Sequence, residues 1–187
     1  MIHNTNSSYG IISIINHWIG GLLFLTILGM GFYMELLPRS PLKYQLYDLH
    51  QFLSIFLMVL FVIRILWKFM TPTPNIIRSF PLWEMYLAKV VHILLFWSLA
   101  LMPVSGWVVL NARDEDLFFV YGIVLPRLVE PSASIELFAQ QLHIYLSQFI
   151  LLCLSLHILG TIKHHLIDRD NTFKRIIKPE KLWFNGS

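Results

Sequence analysis

HIYLSQFILLCLSLH, residues 143–157, opens and closes on histidine and holds no charged side chain between the two. A titratable ring in a hydrocarbon-like segment is costly unless it pairs with something or binds something. On an α-helix, with about 100° of turn and about 1.5 Å of rise per residue, His143 and His157 lie ~40° apart around the axis and ~21 Å apart along it. One face of this segment therefore carries two imidazoles near opposite ends of a span.

The rest of the chain says what kind of span this is. Of 187 residues 56% are hydrophobic and 13% charged, a balance far more apolar than that of a soluble domain. Four long uncharged stretches place helices at about 11–34, 49–70, 86–111 and 137–166, each able to supply the roughly 20 residues that cross about 30 Å of hydrocarbon. Apolar runs of that length are not barrel strands, so the expected fold is all-α, an integral membrane four-helix bundle in a single membrane domain, 1–187. The first ten residues contain no Lys or Arg, which fits a retained first span better than a cleaved signal peptide. Cys153 is alone and mid-span, so no disulfide forms within the chain. No phosphate-binding glycine motif, repeat or metal-ligand cysteine cluster is visible, and nucleic acid is not expected as a partner.

Charge sets the expected orientation. Ten Lys and Arg residues, Arg78 and Lys181 among them, fall beside one membrane face, and Arg39, Lys43, Arg113 and Arg127 fall beside the other. The positive-inside rule then puts both the N-terminus and the C-terminus in the cytoplasm. Pro38 and Pro41 mark a first outer loop over 35–48, three prolines mark a cytoplasmic connector from Thr71 to about Met85, and 113–136 is the longest outer loop. Its stretch LFFVYGIVLPRLVE is too short to span but apolar enough for an interfacial cap on the outer leaflet. Trp18, Trp67, Trp83 and Trp107 fall near span ends, where an indole is favoured.

With alternating helix directions, His17 in helix one matches the depth of His157, and His50 in helix two matches the depth of His143. A flat cofactor whose metal takes one nitrogen from above and one from below fits two such pairs, and haem iron is such a metal. Two b-type haems would use all four positions; c-type attachment is excluded because no Cys-x-x-Cys-His sequence occurs. Zinc fits less well, because it gathers its ligands at one centre, commonly with cysteine or carboxylate among them. A lone histidine near a helix end is more often an interfacial side chain than a ligand; four matched in depth ask for a shared explanation.

His92 lies at about the depth of His17 and His157, so spacing alone leaves open which two hold the inner iron. His164 and His165 follow helix four in KHHLIDRD, where a solvated basic end and a quinone contact through His164 compete as readings. Arg64, near the cytoplasmic end of helix two, can snorkel to lipid phosphate or pair with a haem propionate. Pro103 and Gly106 can bend helix three, and Gly20, Gly21, Gly29 and Gly31 can clear space for a macrocycle or a neighbouring helix.

The segments NHWIGGLLFL, LHQFLSIFLMVLFVIRILWKF, KVVHILLFWSLALMPVSGW and LHIYLSQFILLCLSLHILGTIKHHLIDRDNTFKRI together resemble the bacterial cytochrome b561 family, over about 11–179. MELLPRS and PTPNII are similar to an enterobacterial member that is a superoxide oxidase. The resemblance implies that His17 with His157 hold the cytoplasmic-side haem and His50 with His143 the outer one, leaving His92 beside the ligands or in a quinone pocket. It further implies a di-haem b oxidoreductase of the bacterial inner membrane that takes electrons from superoxide at the periplasmic face and delivers them to ubiquinone. The outer loops carry four basic side chains against seven acidic ones, so an anion would need a local patch from Arg39, Lys43, Arg113 or Arg127. The competing reading is a haem-bearing relay between the quinone pool and a redox partner protein, either a dehydrogenase or a periplasmic carrier.

Overall fold

The computed structural model describes residues 1–75, 81–119 and 122–179. Arg78 and Lys181, used above in counting charges, lie outside the described residues, as does part of the apolar loop stretch at 120–121. Four long helices, α1 (Ile11–Leu36), α2 (Pro41–Met70), α3 (Leu82–Ala112) and α4 (Ala133–Leu166), are followed by a single turn, α5 (Thr172–Arg175). All four long helices are apolar and long enough to cross a membrane, and among the described residues there are no strands. Many of their large side chains face outward, Leu22, Leu66, Phe69, Leu152 and Leu159 among them, which is the surface a lipid-facing helix presents.

Three of the four helices, α2, α3 and α4, start earlier than their apolar runs. α2 begins at Pro41, eight residues before the expected 49, so the 35–48 loop shrinks to a few residues. Pro41 does not break this helix; it opens it. Proline is tolerated in the first turn, where its missing N–H has no partner to lose, and the Ser40 hydroxyl accepts a hydrogen bond from the Lys43 amide (3.3 Å). In the same way the Pro81 carbonyl accepts from the Glu84 amide (3.1 Å) at the start of α3, and the Ser132 carbonyl from the Glu136 amide (2.9 Å) at the start of α4. Pro103 lies inside α3 without ending it.

The chain divides into two compact units, and each takes a segment of all four long helices. The first comprises Met1–Gly21, Leu60–Leu95 and Leu152–Ser187. Its N-terminal segment is tied down by side-chain hydrogen bonds. Asn4 Oδ1 accepts from the Gly10 amide (2.9 Å) and the Ser13 hydroxyl (2.7 Å), and Asn4 Nδ2 donates to Thr71 Oγ1 (3.2 Å). Trp67 Nε1 donates to Ser13 Oγ (3.0 Å), and the Trp67 ring stacks on His3 at 5.1 Å. His3 is thus part of a closed end. Trp18 Nε1 donates to the Ile176 carbonyl (2.8 Å) and anchors the segment after α5.

The second unit comprises Leu22–Val59 and Phe96–Leu151. Its long loop between α3 and α4 is folded, not spread flat. Phe118 and Val124 pair in an antiparallel bridge around Gly122, whose φ of 76° suits a residue without a Cβ. Leu117 is buried with Ile55 and Leu110, and Trp107, Phe119 and Leu125 pack against them. Asn111, fully buried, donates from Nδ2 to the Glu115 carbonyl (3.1 Å) and accepts at Oδ1 from the Leu128 amide (2.9 Å), pinning both arms of the loop.

Asn111→Ala removes the side-chain partner of the Glu115 carbonyl and of the Leu128 amide, both on exposed residues, a net cost of about 0.5–1.5 kcal/mol each. The expected outcome is a protein that still inserts but loses amide-exchange protection at Leu128 and is cut faster by protease between 113 and 132; unchanged exchange there would show the loop to be held by its apolar contacts alone.

Candidate functional site

Each unit contains one of the imidazole pairs expected from sequence. In the first unit, His17 of α1 and His157 of α4 have ring centres 6.3 Å apart with planes at 59°. In the second unit, His50 of α2 and His143 of α4 have ring centres 6.4 Å apart with planes at 66°. A metal–imidazole bond of about 2.0–2.1 Å, with roughly 1.1 Å more from that nitrogen to the ring centre, separates two rings gripping one metal from opposite sides by about 6.2 Å. Both pairs stand at that separation. His92 of α3 has its ring centre only 4.9 Å from that of His157, at 74°, which is an edge contact and too close for a metal held in line between the two rings. Where spacing left His17 and His92 as alternatives, the distances favour His17.

The surroundings fit a large flat group. A Cβ added at Gly31 would stand 3.6 Å from Cε1 of His50, and one at Gly106 would stand 3.4 Å from Cε1 of His143, so both rings approach bare backbone. Gly20, Gly21 and Gly29 border open space. The first unit also holds a half-buried cation: Arg64 of α2 acts electrostatically on Tyr9, His17, His92 and His157, and among the described residues no carboxylate pairs with it. A guanidinium out of water needs an anion, and a haem propionate is one. Burial pushes the Tyr9 phenol up while Arg64 and Arg175 pull it down.

The second nitrogen of each outer-pair ring differs in its surroundings. His143 Nδ1 is 2.8 Å from Ser105 Oγ. His50 Nδ1 is buried beside the main chain of Ile27 without a well-formed hydrogen bond. Ser105 carried no signal in the sequence, because an isolated serine in an apolar helix is common and its partner is 38 residues away.

The other expected site residues fall into two places. In the first unit, Lys163 Nζ donates to Glu84 (2.8 Å) and Asp168 (2.9 Å), and His164 Nδ1 lies 3.0 Å from Asp168 and 3.1 Å from Asp170. Glu84, His164 and Asp168 present ligand atoms close enough to share a cation, but the Lys163 ammonium already bonds both acids. The hydrogen bond from Lys163 holds the Asp168 carboxyl below its usual range. His165 stacks obliquely on Phe173, ring centres 5.1 Å apart, away from any imidazole pair.

In the second unit a cavity of about 490 Å³ is lined by Arg39, Lys43 and Arg113 among others, with Glu35 and Glu136 as its acids. Arg113 Nε binds Glu136 (2.7 Å), and Lys43 Nζ donates to the Leu37 carbonyl (2.9 Å). Among the described residues Arg39 pairs with no acid. Arg127, expected to help steer an anion, is not part of this lining; it is bound to Asp114 (2.6 Å) and Asp116 (2.9 Å), which hold its guanidinium more firmly protonated.

A family model described as prokaryotic cytochrome b561 matches residues 8–179. Among similar proteins, cytochrome b561 homolog 2 of Escherichia coli is 27% identical over 93% of this chain and 93% of its own length. Cytochrome b561 homolog 1 of the same species is 28% identical over 88% of this chain and 94% of its own length. A protein of Yersinia pestis named probable superoxide oxidase CybB is 26% identical over 94% of this chain and 98% of its own length.

Gly106→Val places branched methyl groups where the His143 ring approaches bare backbone. The expected outcome is a lower ratio of haem b to protein after purification, measured by pyridine haemochrome, with Gly20→Ala, which borders open space, unchanged.

Proposed function

Because the chain belongs to the prokaryotic cytochrome b561 family of haem b-binding membrane electron-transfer proteins, we propose that it is a di-haem oxidoreductase of the bacterial inner membrane that oxidises superoxide and reduces ubiquinone. The observation that carries this reading is the pair of ring separations, 6.3 Å and 6.4 Å, each in its own unit. His17 with His157 would hold one haem b, with Arg64 as propionate partner, and His50 with His143 would hold the other. When bound, haem supplies one-electron exchange, which no side chain of this protein offers by itself. The chain's part is to fix four imidazoles, to exclude water from them with apolar helices, and to manage charge at the two ends.

The excess of Lys and Arg beside the first unit orients it toward the cytoplasm, with the second unit at the periplasmic face. There the 490 Å³ cavity offers three cations against two acids, and Arg39 is the cation left unbalanced. That local excess attracts a small anion although the outer loops as a whole are acidic. The Yersinia pestis relative's name supports superoxide as that anion. Two superoxide anions each give up one electron, leaving two molecules of oxygen, and one quinone gains both electrons and two protons. His164, set between Asp168 and Asp170, is the ring that a quinone contact at the cytoplasmic end would use.

A specific observation favours the second reading, a relay between the quinone pool and a dehydrogenase or a periplasmic carrier. Arg113 and Arg127 are already neutralised by ion pairs, which leaves an acidic outer surface suited to a basic protein partner. Purified protein in quinone-containing vesicles separates the two: superoxide alone reduces the haems and quinone reoxidises them under the first, and neither happens without a partner under the second.

Substitution of the ligands should be selective. His50→Ala removes the outer haem and His17→Ala the inner one, each leaving one haem per chain, whereas His92→Ala keeps both. One-for-one loss measured by spectrum and haem quantification supports the pairing; loss of both haems from a normally inserted single variant overturns it. Arg39→Glu slows superoxide-driven haem reduction by about tenfold at low ionic strength and much less in high salt. A rate indifferent to both the charge and the salt counts against capture in this cavity.

A further inference from the structure

We propose that Ser105 is a positioning residue for His143: its hydroxyl, backed by the Met102 carbonyl, keeps the imidazole proton on Nδ1, leaves the Nε2 lone pair for the metal shared with His50, and lowers the reduction potential of the outer haem. The inference rests on the two-haem reading and deepens it.

The argument is a count of protons. Ser105 is buried in α3, 7% exposed, and its Oγ lies 2.8 Å from the Met102 carbonyl and 2.8 Å from His143 Nδ1. A hydroxyl has one proton to give and lone pairs to accept with, and a carbonyl can only accept. The serine proton therefore goes to Met102, because the opposite assignment would press two bare acceptor oxygens together at 2.8 Å. Ser105 Oγ is then an acceptor toward the ring, and Nδ1 is the donor. In a neutral imidazole protonated at Nδ1 the free lone pair is on Nε2.

The seat is built from consecutive turns of one helix. Met102 supplies a carbonyl, Ser105 a hydroxyl, and Gly106 an absent side chain, since a Cβ there would stand 3.7 Å from Nδ1 and 3.4 Å from Cε1. The facing ligand has no equivalent: Nδ1 of His50 is buried without a well-formed bond, and of the four histidines in the two ring pairs His143 is the one whose Nδ1 is given a side-chain hydrogen bond among the described residues. An acceptor at Nδ1–H makes Nε2 a stronger electron donor and fixes the ring plane. A stronger donor favours the oxidised metal, so removing the hydroxyl raises the potential.

The test compares Ser105→Thr, which keeps a hydroxyl, with Ser105→Val, which has the same shape without one, in the full-length membrane protein. Haem per chain, an equilibrium redox titration resolved into its two components, and the low-spin electron paramagnetic resonance signals of the oxidised protein are recorded, with the outer component identified by its loss in His50→Ala. The expected result is a Thr variant like the parent and a Val variant in which the outer haem alone moves to higher potential and changes its low-spin signal, or in which the outer haem alone is lost. Titrations and signals that are the same for Val and Thr, or loss of the outer haem from both, overturn the assignment. A parent protein that binds fewer than two haems overturns the two-haem reading instead, and that result needs no variant.

Discussion

In hydrocarbon a polar ring cannot fall back on water, and this constraint organises the molecule. Every imidazole placed in a span has to be given a partner by another helix, and every backbone amide has to be satisfied within its own helix. Four long helices answer the second demand. Two cross-helix ring pairs, His17 with His157 and His50 with His143, answer the first. The same demand recurs at smaller scale: Asn111 satisfies two loop groups at once, Asn4 satisfies the start of α1, and Ser105 satisfies one nitrogen of a ring whose other nitrogen is needed elsewhere. Arg64 is the case the described residues leave without a counter-charge, which is why it reads as a sign of something anionic to be bound.

The long helices and the depth-matched histidines were legible in the sequence because both follow from helix geometry and the width of a bilayer. The helix starts were less so. Pro41 reads as a breaker when the apolar run is taken to define the helix, yet a proline after a serine is also a start signal, and the polar first turns of α2 and α4 extend past the hydrocarbon where apolarity no longer marks them. The choice between His17 and His92 could not be made from spacing, since both sit at one depth; it needed the lateral distances, 6.3 Å against 4.9 Å, which depend on how the helices pack. Charge counting identified Arg127 as a steering cation but could not see that Asp114 and Asp116 would fold back onto it.

The two ends of the chain treat charge differently. In the first unit, Lys163, Glu84, Asp168, His164 and Asp170 form a closed group in which three acids outnumber the Lys163 ammonium. In the second unit, Arg39, Lys43 and Arg113 line a cavity with Glu35 and Glu136, and among the described residues Arg39 forms no ion pair with either acid. The first unit thus carries an acid-rich, hydrogen-bonded cluster, and the second a cavity in which cations are in excess.

The knot of hydrogen bonds joining Asn4, Ser13, Trp67 and Thr71 has a consequence for biogenesis. The start of α1 is completed by residues near the end of α2, which emerge from the ribosome some sixty residues later. The local bonds from Asn4 to Gly10 and Ser13 are available from the start, and the contacts from Trp67 and Thr71 are added only once the first helical hairpin has formed.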